Sequence, residues 1–538
     1  MALSYSQALI AVILAAVLNY FVGQVLQWWR LKTLTSQSSC AKPSTTQTRW
    51  PAGLGRLIRI LGIRGDVLEN WLGADFRSHG FWTFAIEAPL VPTASIFTAE
   101  PANVQCMLSK NFGHWGLGPA RAKKFGPFLG VGVFTADGDI WARSRAVVRP
   151  AFQRKQVSDL SATELHVSRL LGRLGDQPGD DGWTSPRNVM PYIYRFTLDN
   201  ATQFLFGESV ESQLQSDVGE KEASETQAFE EAFHTATTGV GLKMFIGPFY
   251  WIVDCRSAFR RACRLCKEYT VRFVDQALAV HAETKKEEKE ASEPVDDEKH
   301  SPEKNKGIFL RTLVEATQDR TELRDQLMQL LFAGRDTTAT LLSWSLLCFA
   351  HTPGAWDRLR TEILTMFGPG GDEGDELISF ESLKGCTYLQ SSLRETLRMF
   401  PPIGVNGKQA LCDTVLPTGG GADGSQPIAV AKGTPVLFTT YIMHRRPDLW
   451  GDDAHEWKPD RWSSGLRPGW SYIPFNGGPR HCPGEQFALT QAAYTLMRLA
   501  RTFDRIENPD VGDVFEKGVG LIIQPKKVNL RFHRADVV

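Results

Sequence analysis

Residues Phe475-Asn476-Gly477-Gly478-Pro479-Arg480-His481-Cys482-Pro483-Gly484 set one cysteine in a loop bounded by glycine and proline. A cysteine so placed can serve as an axial thiolate on haem iron, because Gly477, Gly478 and Gly484 permit tight turns and close approach to a flat ring. Pro483 fixes one dihedral and removes one backbone donor beside the sulfur, while the remaining amides can point at it and tune its potential. Thiolate ligation pushes electron density onto iron and favours O–O cleavage, so the chemistry open to this loop is oxygen activation. A bare Gly-Gly-x-x-x-Cys would equally suit an ordinary turn around a buried thiol.

Further upstream, Leu323 to Phe349 is a long apolar-periodic run with glycine, acid and alcohol at its centre: Ala333-Gly334-Arg335-Asp336-Thr337-Thr338. A helix is expected there. A threonine in it can bond a carbonyl one turn back and open the helix, and Gly334 leaves room for a ligand against the backbone. Arg335 is one position from both neighbours, and a solvent-facing role is as open as a buried one. Glu395 and Arg398 lie three apart on one helix face, which Pro401-Pro402 end; such a pair can form a fork that a third charged group locks. Trp141 and Arg145 likewise share one helix face.

The flanks of Cys482 resemble the haem-binding signature of the cytochrome P450 superfamily, Phe-x-x-Gly-x-Arg-x-Cys-x-Gly, at every fixed position. Glu395-Thr-Leu-Arg398 and Lys458-Pro-Asp-Arg461-Trp462 are similar to the family's structural triad and stand in its order. The resemblance implies a mainly α fold with a small β-rich subdomain, haem b held by Cys482, and Phe475 as part of the haem seat. It implies Thr337 and Asp336 as the residues that stabilise and protonate iron-bound oxygen, beside Gly334. It also implies Trp141, Arg145 and Arg480 as partners of the haem propionates. Lys408 departs from the pattern: many relatives carry arginine there, and lysine keeps the charge but loses the planar fork.

Other stretches resemble the fungal alkane- and fatty-acid-hydroxylating group: Asn111-Phe-Gly113, Leu129 to Trp141, Arg149-Pro-Ala-Phe152, Leu323-Arg-Asp-Gln-Leu327 and Leu416-Pro-Thr-Gly-Gly-Gly421. That branch implies hydroxylation of an unactivated C–H, often at the terminal methyl of a long chain, with electrons from NADPH through an NADPH–cytochrome P450 reductase and cytochrome b5 as an optional second donor. Two other readings stay open: a tailoring monooxygenase acting on a fungal polyketide or terpenoid, and a haem-binding membrane protein without catalysis. The segment Phe112 to Phe134 matches the region that roofs the pocket in relatives, and Arg121, Lys123 and Lys124 within it are either a carboxylate contact or an exposed basic cluster. Basic residues around Arg143, Arg149, Arg154 and Lys155 are either a reductase-docking patch or a plain solvated surface.

The chain has 538 residues with 60 basic and 60 acidic side chains, a balance that argues against nucleic acid as a partner. Nine cysteines scattered along it fit a reducing compartment rather than a disulfide framework. Cys263-Arg-Leu-Cys266 reads as two residues of an amphipathic helix, not a zinc or redox site. Before the first charge at Arg30, Leu9 to Leu26 holds eleven Leu, Ile, Val and Phe residues, worth roughly 3 to 7 kcal/mol of bilayer insertion before polar residues are counted. Trp28, Trp29, Arg30 and Lys32 follow as an interfacial belt and positive flank. Residues 1–30 therefore read as a single-pass transmembrane anchor in the endoplasmic reticulum with the body cytosolic, residues 31–50 as a linker, and 51–538 as the haem-thiolate domain for a hydrophobic substrate. Within that domain, 282–306 reads as a charged surface loop. Strands are expected around Phe81 to Val91 and Ile428 to Tyr441.

Overall fold

β-Branched and aromatic runs separated by glycine-rich turns pair into sheets, and the apolar-periodic segments form helices. In the computed structural model the described residues are 39–47, 66–87, 94–154, 158–214, 225–290, 308–369, 375–510, 515–518 and 520–535, with scattered positions between 15 and 58. They divide into two units, where the sequence suggests one domain from Pro51. The first comprises the chain up to Gly118, Gly404–Ala454 and Pro468–His481; the second comprises Pro119–Ile403, His455–Arg467 and the chain from Cys482 on.

The first unit is built on β1 (Thr45–Gln47), β2 (Thr83–Glu87), β3 (Ser95–Thr98), β4 (Trp115–Gly116), β6 (Val405–Ala410) and β9 (Pro435–Thr439), in the order β1-β2-β3-β9-β6-β4. Strands β2 and β3 are antiparallel with Thr83 opposite Thr98, and β6 runs antiparallel to β9 with Lys408 opposite Val436. A hairpin of β7 (Thr414–Gly420) and β8 (Gln426–Val430) completes the unit. Buried Asn103 pins it, donating to Thr418 O at 3.0 Å and accepting from Thr418 N at 3.1 Å. Both expected strand regions are therefore present.

The second unit is helical. Its main helices are α1 (Pro119–Leu129), α2 (Gly138–Val148), α3 (Ser161–Leu174), α4 (Met190–Phe206), α5 (Glu225–Phe245), α6 (Ser257–Glu290), α7 (Arg320–His351), α8 (Ala355–Phe367), α9 (Thr387–Met399) and α10 (Glu485–Thr502). A small sheet joins β10 (Phe503–Glu507), β11 (Asn529–Arg534) and β5 (Arg187–Asn188). Helix α7 starts at Asp319, whose carboxylate accepts from the amides of Thr321 at 2.8 Å and Glu322 at 3.0 Å. It stops before Pro353, which disfavours helix at the preceding residue. Leu323, Leu327, Leu331, Leu341, Leu342 and Leu346 bury it on all sides, as expected of a core helix.

Two expectations change. Residues 31–50 are not a free linker: 31–36 are helical, Ala41 bridges Ile428, and Thr45–Gln47 add strand β1 parallel to Ala85–Glu87. The charged stretch 282–306 begins as the last turns of α6, up to Glu290, where glutamate and lysine are good helix formers; 291–306 lie outside the described residues. Among the described residues no helix is long and apolar enough to cross a membrane. Much of Leu9–Leu26 lies outside those residues; Leu18, Phe21, Val22, Val25 and Leu26 are described and exposed. Cys263 and Cys266 lie in α6 as buried free thiols, and burial pushes both up, Cys263 to about 11.

His166 in α3 is fully buried, and neither ring nitrogen has a hydrogen-bond partner among the described residues. Burial lowers its pKa, with Asp199 and Glu211 pulling it up and Arg169 pushing it down. The unfolded chain then binds the proton more readily, so this stability is present above about pH 6.5 and is lost as pH falls through the lower folded value. Denaturation of the wild type and His166→Leu between pH 7.5 and 5.5 should give a stability difference that moves against the wild type on acidification; parallel curves would refute this.

Candidate functional site

In the second unit Cys482 stands just ahead of Gly484, the N-cap of α10. Protein surrounds the sulfur closely enough to push its thiol up to about 11; the Gly484 amide and the Arg145 charge pull it down, and Glu485 pushes it up. Arg145 is half-buried on α2, one turn beyond Trp141, and feels the same sulfur charge. A Cβ at Gly484 would sit 3.4 Å from the Phe152 ring. His481 to Leu489, including Phe487, all stay half-buried, an unusual state for apolar residues opening a core helix.

Helix α7 packs on α10 in this unit. Along its buried length Ala333, Gly334 and Thr337 alone of 325–349 are half-exposed, one continuous strip at i, i+1 and i+4. Thr337 Oγ1 donates to Ala333 O at 2.7 Å, the back-bond expected of a threonine that loosens its helix. Asp336 is buried and pairs with Arg335 Nη1 at 3.1 Å. Burial raises its carboxyl pKa, against the pull of Arg335 and His234. Arg335 is itself 3% exposed, its guanidinium 5.2 Å from the Tyr194 ring and 5.3 Å from the Phe233 ring. The solvent-facing option for Arg335 is thus excluded: the lining of α7 by α4 and α5 leaves it no route to water.

Support beneath Cys482's unit comes from Glu395. Its carboxylate accepts from Arg398 Nε at 2.9 Å and Nη2 at 2.8 Å, Arg461 Nε at 3.3 Å, Trp462 Nε1 at 3.0 Å and the Lys458 amide at 3.0 Å. Glu395 and Arg398 are both fully buried. The start of α9 is held in turn by Glu362, which accepts from the amides of Tyr388 and Leu389 at 2.8 and 3.0 Å.

The first unit carries Lys408, Phe475 and Arg480. Lys408 is 4% exposed on β6, with its ammonium 5.9 Å from the Phe112 ring. Phe475 and Arg480 are half-buried, and Asn476 Nδ2 donates to Arg480 O at 3.1 Å. Gly478, at φ +63, cannot be replaced: a Cβ there would lie 1.8 Å from Leu108 O. A Cβ on Gly477 would meet the Trp470 ring at 2.6 Å.

This donor set fits a flat, apolar, anionic group bound through sulfur: one thiol, a half-open apolar strip on α7, and cationic side chains on α2. Sequence reasoning missed the burial of Arg335 and the part of Tyr194, because neither lies in a spaced motif. Arg121, considered from the sequence as a carboxylate contact or part of an exposed basic cluster, donates from Nε to Phe134 O at 3.1 Å and lies over the Phe125 ring at 5.0 Å. In the basic group considered for docking, Arg143 pairs with Glu322 at 2.9 Å and Arg154 with Glu381; Lys155 lies outside the described residues.

The family model of cytochrome P450 matches residues 101–532. The chain is 38% identical to cytochrome P450 monooxygenase g430 of Fusarium sp., over 96% of this chain and 88% of that protein. It is 36% identical to cytochrome P450 52A13 of Debaryomyces hansenii, over 93% and 92%. The crystal structure of the cytochrome P450DA heme domain superposes with a TM-score of 0.71 at 19% identity, covering 92% of this chain and 98% of that one, a likeness of fold.

Proposed function

The chain belongs to the cytochrome P450 family and is a monooxygenase, and from that premise we propose that it inserts one oxygen atom into an unactivated C–H of a long-chain alkane or fatty acid. The observation that supports this most is the aromatic wall beside the half-open strip of α7. Phe332, next to Ala333, meets Phe125, Phe128 and Phe134 edge-on at centroid distances of 6.0 to 6.3 Å; Phe125, Phe128 and Phe332 are buried and Phe134 is half-buried, an apolar surround that suits an apolar chain. Similarity to 52A13 agrees with the branch motifs.

When bound, haem supplies oxygen binding, electron uptake and the oxidant. Cys482 is proposed as its ligand, Trp141, Arg145, Lys408 and Arg480 as partners of its propionates, and Phe475 as part of its seat. Asp336, with its pKa raised by burial, holds a proton more readily than an ordinary carboxylate. Thr337 passes protons on by swinging its hydroxyl from Ala333 O toward the strip at Gly334. Electrons come from NADPH through a reductase, with cytochrome b5 as an optional donor. Residues 1–30 are proposed as a single-pass anchor in the endoplasmic reticulum membrane; the exposed Leu18, Phe21 and Val25 agree with a helix that meets lipid.

Thr337→Ala should keep the haem spectrum but lower product formed per NADPH by roughly a hundredfold, the low end for a lost proton donor; a fully coupled variant would remove Thr337 from proton delivery. The substrate reading is tested by mass spectrometry of products after turnover with reductase, NADPH and mixed long-chain alkanes and fatty acids. Terminally oxidised chains support it. No oxidised lipid from spectrally intact enzyme overturns it in favour of a polyketide or terpenoid substrate.

A further inference from the structure

The glycine-rich stretch after α1 and the polar residues early in α7 are partners. Asp325 and Gln329 stand one turn apart on α7, both nearly fully buried among leucines. Asp325 Oδ2 accepts from the Val131 amide at 2.8 Å, and Gln329 Oε1 accepts from the Phe134 amide at 2.8 Å, while Gln329 Nε2 donates to Leu129 O at 3.4 Å. Arg324 holds the other oxygen of Asp325 at 2.6 and 2.9 Å. The loop is shaped to permit this approach. Gly130 has φ +68, and a Cβ there would lie 2.0 Å from the Asp325 carboxyl; a Cβ on Gly132 would lie 2.4 Å from Gln329 Nε2. Thr135 Oγ1 closes the turn, donating to Gly130 O and accepting from the Gly132 amide, each at 2.9 Å.

We propose that Asp325 and Gln329 are positioning residues: they latch loop 130–135 to α7 and so fix Phe134 against Phe332, setting the aromatic wall that a substrate meets beside Gly334. Buried side chains that bond loop backbone are costly to leave unpaired, so the latch has one register. From α1 the loop is also tied by Arg121, which donates to Phe134 O. Latch and half-open strip share one rigid helix, and Phe332 is three residues past Gln329, so a shift of the loop is felt next to Gly334. The inference goes beyond the long-chain reading and needs only the monooxygenase assignment.

The test uses full-length holoenzyme. Hydrogen–deuterium exchange should find the Val131 and Phe134 amides protected in the wild type although the Val131 residue is 57% exposed; unprotected amides would overturn the latch whatever the variants do. Asp325→Ala and Gln329→Met should each speed exchange across 129–136 by about tenfold, the factor for one lost hydrogen bond to a charged or buried group. They should also weaken spectral binding of 4-phenylimidazole by about tenfold while imidazole, too small to reach the wall, changes by less than about twofold. Asp325→Asn keeps an acceptor for Val131 and should restore wild-type exchange; behaviour like alanine would assign the effect to the Arg324 pair and overturn the loop bond. Faster exchange with unchanged 4-phenylimidazole affinity would overturn the positioning role.

Discussion

Cys482→Ala is expected to abolish the thiolate-type carbon monoxide spectrum and all NADPH-dependent product. Thiolate donation is what distinguishes an oxygen-activating haem from an oxygen carrier, and no neighbouring thiol can stand in. Every other cysteine belongs to another segment of the chain, and Cys482 is the one cysteine between Phe475 and Gly484. The loop itself should survive. Its turns are set by Gly477 and Gly478, which approach Trp470 and Leu108 too closely for any side chain, and alanine at 482 disturbs neither. Circular dichroism of the haem-free forms should therefore match between variant and wild type. Retention of a thiolate-type spectrum in Cys482→Ala would remove this residue from the iron.

Glu395→Ala is expected to destabilise the second unit by about 3 to 5 kcal/mol, the cost of breaking a buried ion pair from one side. The carboxylate receives five hydrogen bonds from Arg398, Arg461, Trp462 and the Lys458 amide. Alanine takes both Glu395 bonds from the fully buried guanidinium of Arg398, whose Nη2 also donates to Glu456 O at 2.8 Å. Since whole domains are stable by about 5 to 15 kcal/mol, the variant should accumulate poorly and hold little haem. Arg461→Ala should be milder, because Arg461 is partly open to water at 10% side-chain exposure and its loss leaves Glu395 still bound to Arg398. Soluble yield and thermal denaturation of the haem-free forms measure both. Equal stability of Glu395→Ala and wild type would contradict the buried triad as a support.

The two predictions differ in what they ask of the sequence. Cys482, Thr337 and the Glu395–Arg398 pair are readable from spacing, because each acts through neighbours within one turn or one loop: Thr337 bonds Ala333, and Arg398 bonds Glu395 three residues away. Helix α7 and strands β2, β8 and β9 are readable for the same reason, since periodicity is a local property.

What escaped the sequence depends on residues brought together from afar. Asp325 meets Val131 across 194 positions and Gln329 meets Phe134 across 195, so the glycines of one motif and the acid of another looked like separate signatures. Thr45–Gln47 became a strand because β2 offered an open edge, not because Thr-Thr-Gln is strongly β-forming. Arg335 was ambiguous at one residue from both neighbours; only the packing of Tyr194 and Phe233 against α7 sealed it from water and paired it with Asp336. The sequence by itself determined the family and which residues are candidates for its chemistry, because residue type and short spacing are local properties. Tertiary structure decided which charges are buried, which loop is latched and where the wall of the site stands, because burial and hydrogen-bond partners are set by elements far apart in the chain.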